Sequence, residues 1–289
     1  MKSHATFRSG ASVRMTREEI VLPGLVMFGM HRYSTANTPI PEHTHQGAIE
    51  ICYLSSGRQI IEVNDECYEM RGNDVLITPP GAPHSSSDQP AEKCALYYLT
   101  IEQKPPLLGF DPMDAKDILK ALRTSERVCF QGYPRMKTLL DDACAALIDH
   151  VPFYRSVIMN RFMEFILDVV AAGNNREQNP VSAAVSHAMR YIDEHRDEAI
   201  DTADIAAAAG VSVPQIKRLF SAEVGIPPKE FILRRKIDRA KEMLAARHTA
   251  VTDIALALGF SSSQHFATIF KRYAGITPVD FRAQQKKKI

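Results

Sequence analysis

His43-Thr44-His45 is followed by Glu50 and, further on, by His84, so three imidazoles and a carboxylate fall within a short stretch of chain. Histidines at i and i+2 project from one face of a strand, and a glutamate further along the same pleat can join them. Three nitrogen donors with one oxygen donor suit a divalent transition metal. The same four residues can instead tie down a strand end or line a pocket for an organic molecule, pairing with its hydroxyls without metal. The pocket without metal is the expectation, with no cofactor required, and the metal site is the alternative.

A second set of residues lies in the last third of the chain, where a degenerate repeat recurs. Phe220, Gly225, Ile226, Pro228 and Phe231 return fifty positions on as Phe270, Gly275, Ile276, Pro278 and Phe281, while Ala206 and Gly210 return forty-nine on as Ala255 and Gly259. A fixed period marks two copies of one supersecondary unit. In each copy an apolar helical run ends at Gly210 or Gly259, and a second run follows a Ser-containing turn (Val211-Ser212-Val213-Pro214; Phe260-Ser261-Ser262-Ser263). That is the layout of a helix-turn-helix, whose second helix enters a DNA groove.

In the first copy the second helix is expected over 213–222, with Ile216, Leu219 and Phe220 inward at i, i+3 and i+4. Pro214, Gln215, Lys217 and Arg218 then face outward near its start, where base edges are reached. Gln pairs with adenine, and Arg or Lys with guanine. In the second copy Phe266, Ile269 and Phe270 form the inward set, leaving Ser263, Gln264, His265, Ala267 and Thr268 outward. Lys271 and Arg272, one turn on, suit phosphates. Lys286-Lys287-Lys288 reads as a frayed tail. A helix over about 228–247, opened by Pro227-Pro228 and striped with Phe231, Ile237, Ala240 and Leu244, is expected to hold the two copies at a fixed separation of ~34 Å along one face of the duplex.

The elements that position the histidines read as a different kind of domain. Short strands are expected at 21–31, 49–54, 59–63, 67–70, 75–77 and 95–101, with Asn64-Asp65 as a hairpin turn. Strands this short and this closely spaced argue for a small β-barrel or sandwich over about 20–103. Helices follow over about 112–172, including a hairpin of 136–148 and 154–172 with Ile158, Phe162 and Phe165 at helical spacing. The polar run GNNREQNP, 173–180, reads as a linker between a domain of residues 1–172 and one of 181–289.

Charge divides the chain in the same place. Residues 181–289 hold 17 Lys and Arg against 12 Asp and Glu, whereas 1–180 hold 18 against 22. A basic module beside an acidic one fits a polyanionic partner for the former. No apolar run approaches the ~20 residues that span a bilayer, and the first twenty residues lack the apolar core of a secretory signal. The expectation is a cytoplasmic protein without a membrane role. Cys52, Cys67, Cys94, Cys129 and Cys144 form no CxxC pair and read as reduced free thiols.

With those residues in hand, two resemblances follow. The pattern HxH-x4-E-x6-G ending at Gly57, then Gly72 and Pro79-Pro80-Gly81 leading to His84, resembles the two motifs of the cupin barrel, with all four metallocupin ligand positions occupied. Six residues rather than five separate Gly72 from Pro79, a departure from the pattern. The chain as a whole resembles the AraC/XylS family of bacterial transcription regulators. GFSSSQHFATIFKRYAGITPVDFR, 259–282, carries that likeness most specifically, together with RRKIDRAKEMLAARHTAVTDIALALGF, 234–260. The resemblance implies a multi-domain α and β protein: a cupin-like barrel, a helical hairpin and an all-α domain with two helix-turn-helix units. It implies base contacts at Pro214, Gln215, Lys217, Arg218, Ser263, Gln264 and Thr268. Members often carry Arg where this chain has Thr268, so the second unit is expected to lean on phosphates.

The expected function is sequence-specific, effector-controlled transcription, activation foremost, by a homodimer that engages promoter DNA and RNA polymerase. The effector, a sugar in the first instance, would sit among His43, His45, Glu50 and His84, with residues from the first forty positions as an arm or lid. The 136–172 hairpin is the expected dimer surface, although Ile158, Phe162 and Phe165 serve equally as core. The rival reading, a metallocupin enzyme or metal sensor on the same four residues, leaves the basic repeat without a purpose.

Overall fold

The computed structural model describes residues 12–16, 20–34, 39–86, 93–175, 181–198, 200–246 and 249–287. Two compact units divide the chain between Pro180 and Val181. Of the expected linker, Gly173 and Asn174 belong to a helix, and 176–180 lie outside the described residues.

The first unit is built on antiparallel strands: β1 Ser12–Thr16, β2 Leu25–Tyr33, β3 Ala48–Val63, β4 Glu66–Arg71, β5 Asp74–Thr78, β6 His84–Ser85, β7 Cys94–Glu102 and β8 Cys129–Gln131. Their order is β1-β2-β7-β3-β5-β8, with β4 and β6 paired to the far end of β3. The two strands expected at 49–54 and 59–63 are one. β3 runs through both, and its pairing with β7 shifts register between Leu54 and Ser56. Before that shift β3 pairs with β5, beyond it with β4 and β6. An irregularity of this kind bends a strand, so one segment can serve two sheets. Asn64 and Asp65, both at positive φ, close the hairpin to β4 as expected. β2 begins at Leu25 rather than at 21 because Pro23 has no N–H to donate and Gly24 turns the chain. β1, β6 and β8 have no counterpart in the expected strands. At two to five residues they are too short to show alternation. Residues 12–16 therefore extend the sheet beside β2 and do not form a free arm.

Period-2 geometry gives β3 two buried faces. Ile49, Ile51 and Tyr53 join a large core with α1 Pro112–Arg123, α2 Arg135–Asp149 and α3 Tyr154–Asn174. Cys52 and Leu54 join a second core with Ile61, Leu76, Leu96 and Tyr98. The hairpin expected at 136–172 is thus the packing layer over one face of the sheet. Ile158, Phe162 and Phe165 are at most 1% exposed in its core, so they are intradomain and belong to no dimer surface. Arg135 pairs with buried Asp168 and ties α2 to α3.

The second unit is all helix: α4 Ala183–Glu194, α5 Thr202–Ala208, α6 Val213–Glu223, α7 Pro228–Ala245, α8 Val251–Ala257, α9 Ser263–Ala274 and α10 Pro278–Lys287. Two cores fill it. One gathers Val185, Ile205, Ile216 and Phe220, the other Ile254, Leu258, Phe266 and Phe270. α7 serves both, giving Phe231 and Ile232 to the first and Ile237, Ala240 and Leu244 to the second. Its end was expected at 247, which lies outside the described residues. The lysine tail also differs from expectation: Lys286 and Lys287 continue α10, and Lys288 lies outside the described residues. Among the described residues no helix is long and apolar enough to cross a membrane.

Candidate functional site

Strand register assembles the first site. Glu50 on β3 stands between Thr78 on β5 and Thr100 on β7, and Cys52 stands between Leu76 and Tyr98. All face the side away from the helices. His43 and His84 exchange backbone hydrogen bonds, N to O at 3.0 Å in both directions, which locks the two histidine-bearing segments together. The HxH pair therefore sits on a single bridge and the loop after it, not on the regular strand that its spacing suggested.

The four polar residues singled out in the sequence do come together. One ligand atom from each of His43, His45, Glu50 and His84 lies within 4.8 Å of the others. His45 Nε2 stands 2.9 Å from Glu50 Oε2, and His84 Nε2 stands 3.4 Å from Glu50 Oε1. The contacts are close but not linear, and both Nε2 atoms are buried without a well-aligned hydrogen bond among the described residues. Two backbone carbonyls fix the other side of the rings: His43 Nδ1 is 2.9 Å from Pro41 O, and His84 Nδ1 is 3.1 Å from Ala82 O. Thr100 Oγ1 and Cys52 Sγ donate to the Glu50 carboxylate at 3.3 and 3.4 Å. Burial alone would raise the Glu50 carboxyl, yet the two imidazoles hold it well below the usual carboxylate range. Burial would lower His84, but Glu50 and the Ala82 carbonyl outweigh it and raise that imidazole.

These groups form the polar end of a cavity of about 290 Å³ whose remaining wall includes Met27, His31, Ile40, Ile61, Leu96 and Tyr98. Sequence reading missed Met27, His31, Cys52, Thr78, Tyr98 and Thr100 as cavity residues or as partners of Glu50. Strand parity was the available signal: Glu50 and Cys52 share one face of β3, and Leu96, Tyr98 and Thr100 share one face of β7. Thr78 lines the cavity with a buried hydroxyl that has no hydrogen-bond partner among the described residues. The four donors suit a divalent transition ion in type. The thiols are free, and Cys52 and Cys94 are buried in this part of the fold.

The second unit presents the other candidate surface. Gly210 and Gly259 hold φ of +67° and +71°, the left-handed turn that a helix-turn-helix places between its helices. Ser212 and Ser262 cap α6 and α9 by accepting from Gln215 N and His265 N. On α6, Ile216 and Phe220 are buried and Leu219 partly so, while Pro214, Gln215, Lys217 and Arg218 are exposed. On α9, Phe266 and Phe270 are buried. Gln264, His265, Thr268, Lys271 and Arg272 are exposed, but Ser263 and Ala267 are half-buried rather than fully outward. Thr268 Oγ1 donates to Gln264 O at 3.0 Å.

The basic charge of this unit is distributed unevenly. Arg234 and Lys236 are buried, the former over Tyr273 and the latter donating to Leu258 O. Burial lowers the Lys236 ammonium. Arg235 and Arg239 pair with Asp193 and Asp197, and Arg282 donates to Thr249 O. Much of the positive count from the sequence is therefore spent inside the unit. Lys217, Arg218 and Lys271 form no ion pair among the described residues and remain available.

Comparison with known proteins follows the same division. The AraC-like ligand binding domain matches residues 28–166, and a helix-turn-helix domain matches residues 205–284. YfiF, an uncharacterized HTH-type transcriptional regulator of Bacillus subtilis, is 24% identical over 266 residues, 86% of this chain and 80% of its own. The arabinose operon regulatory protein of Salmonella typhimurium is 23% identical over 228 residues, 78% of this chain and 80% of its own. LumQ of Photobacterium leiognathi, a probable transcriptional regulator, is 32% identical over 92 residues, and the chain spans only 37% of its length. A solved transcriptional regulator of AraC type from Chromobacterium violaceum is 33% identical, covering 35% of this chain and 91% of that one with a TM-score of 0.34. YfiF and the arabinose operon regulatory protein are both named as regulators, which leaves the metallocupin enzyme without support.

Proposed function

Since the chain belongs to the AraC/XylS family of transcription regulators, with that family's ligand-binding and DNA-binding domains, we propose that a small molecule in the barrel cavity controls its action at promoters. The protein is a regulator and not an enzyme. The observation that carries the reading is the cavity of about 290 Å³ with His43, His45, Glu50, His84 and the unpartnered Thr78 hydroxyl at its polar end. A buried hydroxyl without a partner is costly, so a ligand oxygen there recovers a hydrogen bond. A hydroxylated ligand such as a sugar suits that end, with its carbon skeleton against Tyr98 and the apolar wall. On DNA, Pro214, Gln215, Lys217 and Arg218 of α6, and Ser263, Gln264 and Thr268 of α9, read bases, while Lys271 and Arg272 hold phosphates. The protein works as a cytoplasmic homodimer that activates transcription with RNA polymerase.

The test pairs a promoter footprint with a reporter strain grown on single small-molecule supplements. The supplement that induces the native protein should fail with His45→Ala and weaken with Thr78→Val. DNA affinity without supplement should stay unchanged in both, because a ligand acts only through its different affinity for two states. Native-like induction of His45→Ala would remove the cavity from the reading.

A further inference from the structure

The two helix-turn-helix copies share a frame but not a chemistry. Ser212 accepts from Gln215 N and Ser262 from His265 N, so the caps start α6 and α9 fifty residues apart. The helices stay in step as far as Phe220 and Phe270. In that register Pro214 falls on Gln264, Gln215 on His265, Lys217 on Ala267 and Arg218 on Thr268. The two places that carry cations near the start of α6 therefore carry no charge in α9. Lys217 and Arg218 are exposed and have no hydrogen bond or ion pair among the described residues. On α9 the outward polar groups are partly engaged within the helix itself. Thr268 Oγ1 donates to Gln264 O at 3.0 Å, so its hydroxyl cannot also donate to a base. His265 Nδ1 stands 3.4 Å from Ser261 Oγ, and its ring lies edge-on to Phe260. What remains for contact near the start of α9 is the exposed Gln264 amide and the Thr268 methyl group.

We propose that the DNA site of one subunit is mixed in composition, with α6 selecting guanine through Arg218 and Lys217 and α9 selecting A·T pairs through Gln264 and Thr268. Guanine shows the major groove two acceptors, O6 and N7, which a guanidinium or ammonium satisfies. Adenine shows an acceptor beside a donor, which a glutamine amide matches with both of its ends, and thymine shows a methyl group that takes apolar contact. Each helix thus offers groups suited to one class of base pair. Lys271 and Arg272 come in the last turn of α9, beyond the part of a recognition helix that reaches base edges. Their charge adds affinity for phosphates without choosing a base. The proposal rests on the DNA-binding reading of the two helices and adds the base class that each selects.

The experiment is selection of binding sites by the full chain from a pool of random duplexes, followed by sequencing. The enriched duplexes should share two segments about one helical turn apart, one built on guanine and the other on A·T pairs. Exchanging G·C for A·T in the first segment, or the reverse in the second, should weaken binding between about 5- and 150-fold per critical pair. Two exposed substitutions assign the segments to the helices. Arg218→Gln should replace guanine by adenine in the first segment alone, and Thr268→Arg should bring guanine into the second alone. Native melting curves check that both variants fold. Uracil, which lacks only the methyl group of thymine, should weaken binding about fourfold in the second segment and leave the first unchanged. That difference should vanish in Thr268→Ser, which keeps the hydroxyl and loses the methyl group. Two native segments of the same composition overturn the proposal and leave the DNA-binding reading standing. A Thr268→Arg selection that alters the guanine segment overturns it too, by exchanging the roles of the helices. A pool from which nothing is enriched overturns the DNA-binding reading itself, and the proposal with it.

Discussion

At the scale of single residues, charge near the fold is used in two ways. Arg234, Lys236, Arg235, Arg239 and Arg282 are engaged within the helical unit, which leaves Lys217, Arg218 and Lys271 as exposed cations on or beside the second helix of each repeat. Lys217→Ala and Arg218→Ala should each cost about 1–3 kcal/mol on a specific site and much less on random DNA, measured by competition binding. Lys271→Ala should weaken both equally and flatten the log–log salt dependence by about one unit. Equal losses on both DNAs for Arg218→Ala would move it to the phosphate class. In the other unit, Asp74 is an acid pushed up to about 6, because burial disfavours its charge more than the Arg71 amide and guanidinium favour it. The folded value lies above the unfolded one of about 3.9. Asp74 therefore supports stability most below pH 4, and that support is lost as pH rises through about 6. Asp74→Asn keeps an acceptor for Arg71 N and should raise stability at pH 7.5 by up to about 3 kcal/mol, with almost no effect at pH 4. Melting curves at the two pH values check this, and an equal shift at both would refute it.

At the scale of elements, the closest approach of two strands shapes the cavity. Gly29 on β2 lies directly across from Tyr98 on β7, and a Cβ at Gly29 would come within 2.2 Å of the Tyr98 ring. The ring lies over the glycine and stacks near His31, with centroids 5.2 Å apart. Gly29→Ala must move Tyr98 along the cavity wall. It should cost roughly 1–3 kcal/mol as an overpacked core and reduce induction. Gly29→Ala with native melting and native induction would show that Tyr98 does not define the wall. In the helical unit, the Ser212 and Ser262 caps set where α6 and α9 begin, and therefore which residues form their first turns. Ser212→Ala should cost about 1 kcal/mol of stability by thermal melting, with operator affinity falling further because Pro214 and Gln215 lie within that turn.

At the scale of the whole molecule, two units with separate cores imply separable properties. Residues 181–289 contain both helical cores and the exposed cations. Expressed alone, this segment should fold cooperatively and bind operator DNA without responding to any inducing supplement. A segment that requires residues 1–175 to fold would refute that independence. Within the unit α7 joins the two cores through Phe231 and Ile232 at one end and Ile237, Ala240 and Leu244 at the other. Ala240→Gly places a flexible residue at this join and should cost about 1 kcal/mol.

The repeat, the glycine turns, the inward and outward faces of α6 and the four polar residues of the barrel were all legible in the sequence, because each rests on local spacing. Period and parity are properties of neighbouring residues, and Ile216, Phe220, Phe266 and Phe270 are buried where that spacing placed them. What the spacing did not contain was pairing. That β3 is one bent strand, that His84 bonds to His43, and that Thr78 and Thr100 flank Glu50 depend on registers between segments distant in sequence. The same holds for charge: a lysine counts equally along the chain whether it reaches water or, like Lys236, caps a buried carbonyl. Local physics named the residues, and long-range packing decided which of them met and which were consumed in holding the fold together.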